Sequence, residues 1–253
     1  MKIIFLGTGT SQGVPTIGCK CDVCMSKNPK DKRLRTSLLV EVEGKTIVID
    51  AGPDFRQQML RENVQKVDAV LLTHKHKDHV AGLDDIRPYN YLQKSPIEIF
   101  ADKQTLSTVK QEFAYSFEKS YYKGAPKMNL HKIENKMFTA AGINILPIKV
   151  RHEKMEIFGY RIKNFTYITD ANYISPEEMK KIEKSKVFVL NALRHEKHPS
   201  HFTFSEALEI MHTIKPEQGF LTHSSHNIGL YNEVTKKLPS FVQLAYDGLK
   251  IEF

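Results

Sequence analysis

Three histidines and an aspartate fall within six residues at His74-Lys75-His76-Lys77-Asp78-His79, directly after the apolar run Asp68-Ala69-Val70-Leu71-Leu72-Thr73. Imidazole nitrogens and a carboxylate together suit a divalent cation such as zinc or manganese. Side chains along a loop that leaves a buried strand can point alternately into one cavity, so His74 and His76 suit one cation while Asp78 and His79 turn toward a second. Further ligand-type residues close other apolar runs: His152 after Val150-Arg151, Asp170 after Ile168-Thr169, and His223 after Leu221-Thr222. Asp170 has two carboxylate oxygens and can bridge two cations. The chemistry on offer is metal-assisted hydrolysis, in which paired cations acidify water and offset developing negative charge.

These donors need elements that bring their ends together. Apolar and β-branched runs at 2–6, 37–43, 45–50, 68–73, 97–100, 143–150, 157–162, 165–169, 187–192, 219–223 and 244–248 predict roughly eleven strands. Helical spacing at 54–63, 102–117, 175–184, 204–214 and 229–238 predicts roughly five or six helices, with Asp102 and Ser175-Pro176 as starts. Strands followed by strand-helix alternation, and then the same order again, predict an α/β (α+β) sandwich of two facing sheets with helices outside. Strand ends on one edge of such a sandwich can converge on one site. The basic and aromatic stretch from Tyr115 to Lys127 reads either as a loop over a pocket or as a segment whose Tyr121 and Tyr122 pack on the body.

The chain has 253 residues and no long Gly/Ser- or Pro-rich linker, which predicts one domain over 1–253. The apolar run near Met1 is too short for a signal peptide or a membrane span, and a cytoplasmic location is expected. The net charge of +8 favours anionic partners such as phosphate esters or, less so, nucleic acid, but its lysines are scattered rather than gathered in one block. Cys19, Cys21 and Cys24 are an odd number in one short segment, which suits a metal-thiolate site better than a disulfide framework. Three thiolates are one ligand short of a closed zinc site.

The order H-x-H-x-D-H, then His152, Asp170 and His223, preceded by Val48-Ile49-Asp50-Ala51-Gly52, resembles the metallo-β-lactamase superfamily across nearly the whole chain. The resemblance implies a four-layer αββα sandwich with metals at one edge of the sheets. His74, His76 and His152 would hold one metal, Asp78, His79 and His223 the other, and Asp170 would bridge them. Asp50 would orient the ligand loop without touching metal. Leu6-Gly7-Thr8-Gly9-Thr10-Ser11, the Cys19–Cys24 segment and His195-Glu196-Lys197-His198-Pro199-Ser200-His201-Phe202-Thr203 narrow the resemblance to the PhnP-like phosphodiesterases. In those proteins a histidine three residues beyond the last active-site histidine completes a structural zinc site, which here would join Cys19, Cys21, Cys24 and His226.

By the same resemblance the active-site ions are manganese or zinc, and a metal-bridging hydroxide attacks a small, cyclic phosphate diester. Asp78 and His201 are the candidate catalytic groups, His201 either protonating the leaving alkoxide or hydrogen-bonding a phosphoryl oxygen. His195 and His198, in a charged stretch, read as surface residues. Gly82-Leu83-Asp84-Asp85-Ile86-Arg87 and Ala245-Tyr246-Asp247-Gly248-Leu249 match the family without a role beyond shaping the site. A tRNA 3′-processing endonuclease, a thioester or lactone hydrolase, and a non-catalytic metal-binding protein are the alternatives. Against the nuclease, no long Gly-rich insertion could grip tRNA. Against a non-catalytic role, all seven ligand positions are filled. Some relatives form homodimers.

Overall fold

The computed structural model describes residues 1–118 and 124–253, so Tyr121 and Tyr122 lie outside the described residues. Its strands, in chain order, are β1 (Lys2–Gly7), β2 (Ser37–Val42), β3 (Lys45–Ile49), β4 (Ala69–Leu71), β5 (Ile97–Ala101), β6 (Met128–Lys132), β7 (Phe138–Ala140), β8 (Ile143–His152), β9 (Met155–Ile162), β10 (Phe165–Ile168), β11 (Tyr173–Ile174), β12 (Val187–Asn191), β13 (Gln218–Thr222), β14 (Val242–Leu244) and β15 (Lys250–Glu252). One sheet runs β15-β1-β2-β3-β4-β5-β6, and the other β11-β8-β9-β10-β12-β13-β14 with β7 paired to β8. The helices are α1 (Asp22–Met25), α2 (Phe55–Arg61), α3 (Lys77–Val80), α4 (Arg87–Gln93), α5 (Lys103–Glu112), α6 (Pro176–Ile182), α7 (Phe204–Ile214) and α8 (Tyr231–Thr235).

Side chains alternate across each strand, and that period of two builds the layers. In β1, Ile3 and Phe5 enter the apolar layer between the sheets, where they join Leu38, Val40, Tyr160, Tyr167, Val189 and Phe220. Ile4 and Leu6 point the other way, into a layer with Phe55 and Met59 of α2, Tyr89 of α4 and Val109 of α5. On the far side of the second sheet, Phe188 and Leu221 pack against Phe204, Ala207 and Met211 of α7 and Ile182 of α6. The result is the four-layer αββα order expected from the sequence. Each fully buried Phe, Leu or Ile contributes about 1.5–3 kcal/mol by leaving water. Among the described residues, no helix is long and apolar enough to cross a membrane.

Helix starts follow local chemistry. Asp102 accepts the amides of Gln104 and Thr105 to cap α5, Ser175 accepts that of Glu178 with Pro176 at the first turn of α6, and Thr203 with Glu206 forms a reciprocal capping box on α7. The predicted helix 102–117 stops at Glu112 and continues as a 3₁₀ turn, Ala114–Ser116. The predicted strand 244–248 is also corrected, because only Leu244 lies in a strand. Asp247 instead accepts hydrogen bonds from the Thr8 amide (2.9 Å), the Thr8 hydroxyl (2.7 Å) and the Leu34 amide (2.7 Å), which bends this segment into a turn. Buried Arg33 donates to the Thr8 hydroxyl (2.7 Å) and the Ala245 carbonyl (2.6 Å).

Strands β3, β4, β5 and β6 run parallel, as do β10, β12, β13 and β14. β8 is antiparallel to β9 and β9 to β10, so β8 shares the direction of β10. The carboxyl ends of β3, β4, β8, β10 and β13 lead directly to Asp50, to the loop holding His74 to His79, to His152, to Asp170 and to His223. The Phe158 amide donates to the Thr73 carbonyl (3.1 Å) and the buried Tyr160 hydroxyl to the Leu72 carbonyl (2.6 Å), which fastens the two sheets at that edge.

Candidate metal centre

The loop after β4 is held from beneath. Asp50, fully buried with φ +64°, accepts from the Thr73 amide (2.8 Å) and hydroxyl (2.9 Å), and lies 2.7 Å from His79 Nδ1. This is the orienting role expected for Asp50, and it fixes the His79 proton on Nδ1 so that Nε2 faces the site. Gly52 and Gly82 permit the close packing: a Cβ on Gly52 would stand 2.0 Å from the Asp78 carbonyl oxygen, and one on Gly82 1.9 Å from that of Gly52. A role thus emerges for the Gly82 segment, which lets the α3 turn sit directly on the Asp50 loop.

The structure gathers the seven expected residues into two adjoining donor sets. His74, His76 and His152 form one, and Asp78, His79, Asp170 and His223 the other, with donor atoms within 4.8 Å of one another in each. His152 Nδ1 donates to the carbonyls of Asp170 (2.7 Å) and Ser200 (2.9 Å), leaving Nε2 for the site. His79 Nε2 lies 3.2 Å from Asp78 and 3.4 Å from Asp170, and His223 Nε2 3.0 Å from Asp170. Neither nitrogen makes a hydrogen bond although both are buried. Buried polar atoms without partners cost about 1–3 kcal/mol each, and lone pairs aimed at carboxylates are what a cation between them would satisfy.

The electrostatics follow from burial. Burial and the neighbouring His79 hold His74 well below the ordinary histidine range, so its ring is neutral and one nitrogen lone pair is available. Burial also disfavours charge on His79, but Asp170, Asp50 and Asp78 overcome it and raise the ring well above that range. Burial pushes against the Asp170 carboxylate, yet His223 and His79 keep it ionised, well below the usual range. A proton on His79 stands here for the positive charge that a metal would bring.

His201 is buried beside this group, its ring stacked on His223 at 4.8 Å and tilted against His152 at 4.8 Å, with Nδ1 3.9 Å from Asp170 and unpartnered. Burial, and then the nearby His223, push it down to about 2, so the ring is neutral. A neutral ring suits hydrogen-bond donation to a phosphoryl oxygen better than proton delivery to a leaving group. His195 is exposed, as expected, and is fastened to the Ile228 carbonyl through Nε2 (3.0 Å). His198 keeps part of its ring at the surface, as expected, and that ring lies 5.0 Å from that of His201.

The cysteines sit apart from both sets. Cys19 and Cys21 Sγ lie 3.3 Å, and Cys24 Sγ 3.5 Å, from His226 Nδ1. A tetrahedral zinc with bonds of about 2.1–2.3 Å has ligand–ligand edges of about 3.6 Å, so this cage fits that ion. The Thr8–Ser11 motif also finds its place: the Ser224 amide donates to the Thr8 carbonyl (2.9 Å) and the Thr10 amide to the Ser224 carbonyl (3.3 Å), which clasps the loop that carries His223.

Sequence reasoning missed Asn191. It ends β12, is fully buried, and clamps Ala171 with both halves of its amide: Oδ1 accepts the Ala171 amide (2.8 Å) and Nδ2 donates to the Ala171 carbonyl (2.9 Å). The clamp holds Asp170 in its left-handed backbone conformation, φ +59°. Its one signal was position, a polar residue closing an apolar strand as Asp170 and His223 do.

Residues 45–224 match the family described as Beta-lactamase superfamily domain. The chain is 38% identical to a structure described as a new diphosphatase from the PhnP family, with a TM-score of 0.93 over 100% of this chain and 97% of that one. It is 39% identical over 253 residues, 99% of its length, to an octanoyltransferase of Porphyromonas gingivalis, of which it spans 51%. It is 32% identical over 123 residues to the coenzyme PQQ synthesis protein B of Methylobacterium nodulans, a match covering 43% of this chain and 40% of that protein. The chain therefore spans about half, or less, of these curated relatives.

Proposed function

Since the chain belongs to the metallo-β-lactamase superfamily, and within it to the PhnP family, we propose that this metal-dependent hydrolase cleaves a small, cyclic phosphate diester. The observation that carries the reading is the unpartnered, neutral His201 beside two adjoining donor sets, with Asp170 within reach of His152 in one and of His79 and His223 in the other, unlike the self-contained thiolate cage. His74, His76 and His152 would hold one ion, and Asp78, His79 and His223 the other, with Asp170 between them. Zinc and manganese both suit this nitrogen-rich set, and zinc suits the cysteines. When bound, the two cations supply Lewis acidity toward phosphoryl oxygens and lower the pKa of water.

The protein's own groups do the rest. Asp50 and the Asp170 and Ser200 carbonyls fix the proton of each ring they touch, His79 and His152, so that the opposite nitrogen stays free. His201 offers an N–H to an oxygen of the diester, in a site where burial excludes competing water. The positive net charge would raise the local concentration of such an anion. A reducing, cytoplasmic compartment would keep the three thiols free for metal.

The test is elemental analysis of the purified protein together with hydrolysis of bis(p-nitrophenyl) phosphate and 2′,3′-cyclic nucleotides under added manganese or zinc. Three metal equivalents with diester turnover are expected. One tightly held zinc and no turnover under either metal would sink the reading. A second reading is hydrolysis of a thioester or lactone by the same site, since a metal-activated water attacks carbonyl carbon as well as phosphorus. Turnover of thioesters or lactones in preference to diesters would support it.

A further inference from the structure

We propose that His198 is a second substrate-binding imidazole, whose outward Nε2–H holds an oxygen on the alcohol side of the ester bound beneath His201. The inference rests on the phosphodiester reading above and extends it to a residue whose sequence context suggested mere exposure.

The tautomer follows from its partners. The Ser200 amide, which can only donate, points at His198 Nδ1 (3.3 Å), and the Ser200 hydroxyl also lies 3.1 Å from that nitrogen. Nδ1 is thus the acceptor, and in the neutral ring the proton sits on Nε2. Burial, Arg194, and then the rings of His152 and His223 hold His198 below the ordinary histidine range, with Glu153 opposing, so the ring is neutral at pH 7. Among the described residues Nε2 has no hydrogen-bond partner, and it is not among the buried unpartnered atoms, so this N–H faces solvent.

Its position is set, not incidental. The Pro199 carbonyl accepts from Asn172 Nδ2 (2.8 Å), whose Oδ1 accepts the Glu153 amide (3.0 Å) at the β8–β9 turn. The Ser200 carbonyl accepts from His152 (2.9 Å). One short turn therefore braces a ligand histidine, presents His201 to the donor sets, and stands His198 one ring further out. A phosphoryl group lying against His201 would direct an ester substituent past His198. A sugar hydroxyl or ring oxygen there could accept its N–H, whereas an alkyl group could not.

Two substitutions separate anchoring from binding. In His198→Asn the side-chain oxygen stands where Nδ1 stood and still accepts the Ser200 amide, but the outward donor is gone. In His198→Gln the amide N–H reaches the Nε2 position while the anchor is lost. One neutral hydrogen bond is worth about 0.5–1.5 kcal/mol, or about 3–10-fold. With the metal-loaded protein, His198→Asn should raise KM for 2′,3′-cyclic AMP by about 3–10-fold with kcat and metal content nearly constant, and His198→Gln should recover most of the loss. Calorimetric binding of 3′-AMP, a product that does not react further, should weaken by the same factor.

Equal KM and equal 3′-AMP binding in His198→Asn and wild type would overturn the proposal. So would a joint loss of metal in both variants, or the absence of 3′-AMP binding by wild type. Wild type that binds 3′-AMP through His198 yet turns over no diester would instead leave His198 in place and remove the hydrolase reading.

Discussion

The thiolate cage and the histidine-carboxylate centre both gather donors that suit a divalent cation, but they are built differently. The cage takes three donors from the short span Cys19 to Cys24 and the fourth from His226, 202–207 residues away. The open centre takes its donors from the carboxyl ends of strands across two sheets, and several donors are braced by a second residue: Asp50 for His79, two carbonyls for His152, Asn191 behind Asp170. A closed set of four ligands leaves an ion no vacancy for substrate, whereas split sets with a shared carboxylate do. The difference teaches that the sandwich supplies precision where chemistry is expected, and the cage supplies attachment.

The sharpest way to break this contrast is at Asp170. Asp170→Ala should cut diester turnover by at least about a thousandfold, several kcal/mol of lost charge stabilisation, in a protein that still folds and still retains the thiolate zinc. Near-normal turnover would mean that the strand-end centre is not the reactive one. Cys21→Ala should do the reverse, removing one zinc equivalent, lowering Tm by roughly 6–12 °C for a loss of about 3 kcal/mol, and leaving partial activity. If instead turnover vanished while Tm held, the cage would belong to the chemistry.

Smaller effects sharpen the comparison. Asn191→Leu strands the Ala171 amide and should weaken metal retention at the open centre by about 10–100-fold, read by chelator competition, without moving the thiolate zinc. The smallest effect concerns pH. Burial pushes the Cys24 thiol up to about 11, whereas a hydrogen bond from the Cys24 backbone holds Cys21 down at about 6. At pH 7 Cys24 carries a proton that zinc must displace, so apparent zinc affinity of the cage should climb by at least about tenfold per pH unit from 7 to 9 and fall more steeply below 6, where Cys21 also binds a proton. A flat profile over 7 to 9 in a competition titration would show that Cys24 is already ionised.

Much of the open centre was legible because ligand-type residues directly succeed strong apolar strands, and a strand end fixes both the place and the direction of the next few side chains. His74, His76, Asp78, His79, His152, Asp170 and His223 all have that form. The braces were not legible. Asn191 looks like any polar residue at a strand end, and the carbonyls of Asp170 and Ser200 have no side-chain signature at all. For His198 the charged neighbours reported partial exposure but not the approach to His201, which one backbone hydrogen bond from Ser200 helps to set. Strands β6 and β15 carry polar, half-exposed sequences, Met-Asn-Leu-His-Lys and Lys-Ile-Glu, because a sheet's edge need not be apolar. The 244–248 run failed as a strand because Asp247 satisfies three donors of other loops, a long-range bond that local pattern cannot encode.

The separation between Cys24 and His226 also sets a schedule for biosynthesis. Ribosomes add about 5–20 residues per second, so some 200 residues take about 10–40 s, during which the nascent chain displays a trio of thiols without its imidazole. An incomplete trithiolate is a good ligand for soft ions such as copper(I) and an open target for oxidants. His223 and His226 leave the ribosome within three residues of each other, so the same late segment completes the cage and delivers the last donor of the open centre. Metallation of both sites would therefore wait on the emergence of one segment, and a shortage of zinc at that moment would leave the thiols open to oxidation rather than merely empty.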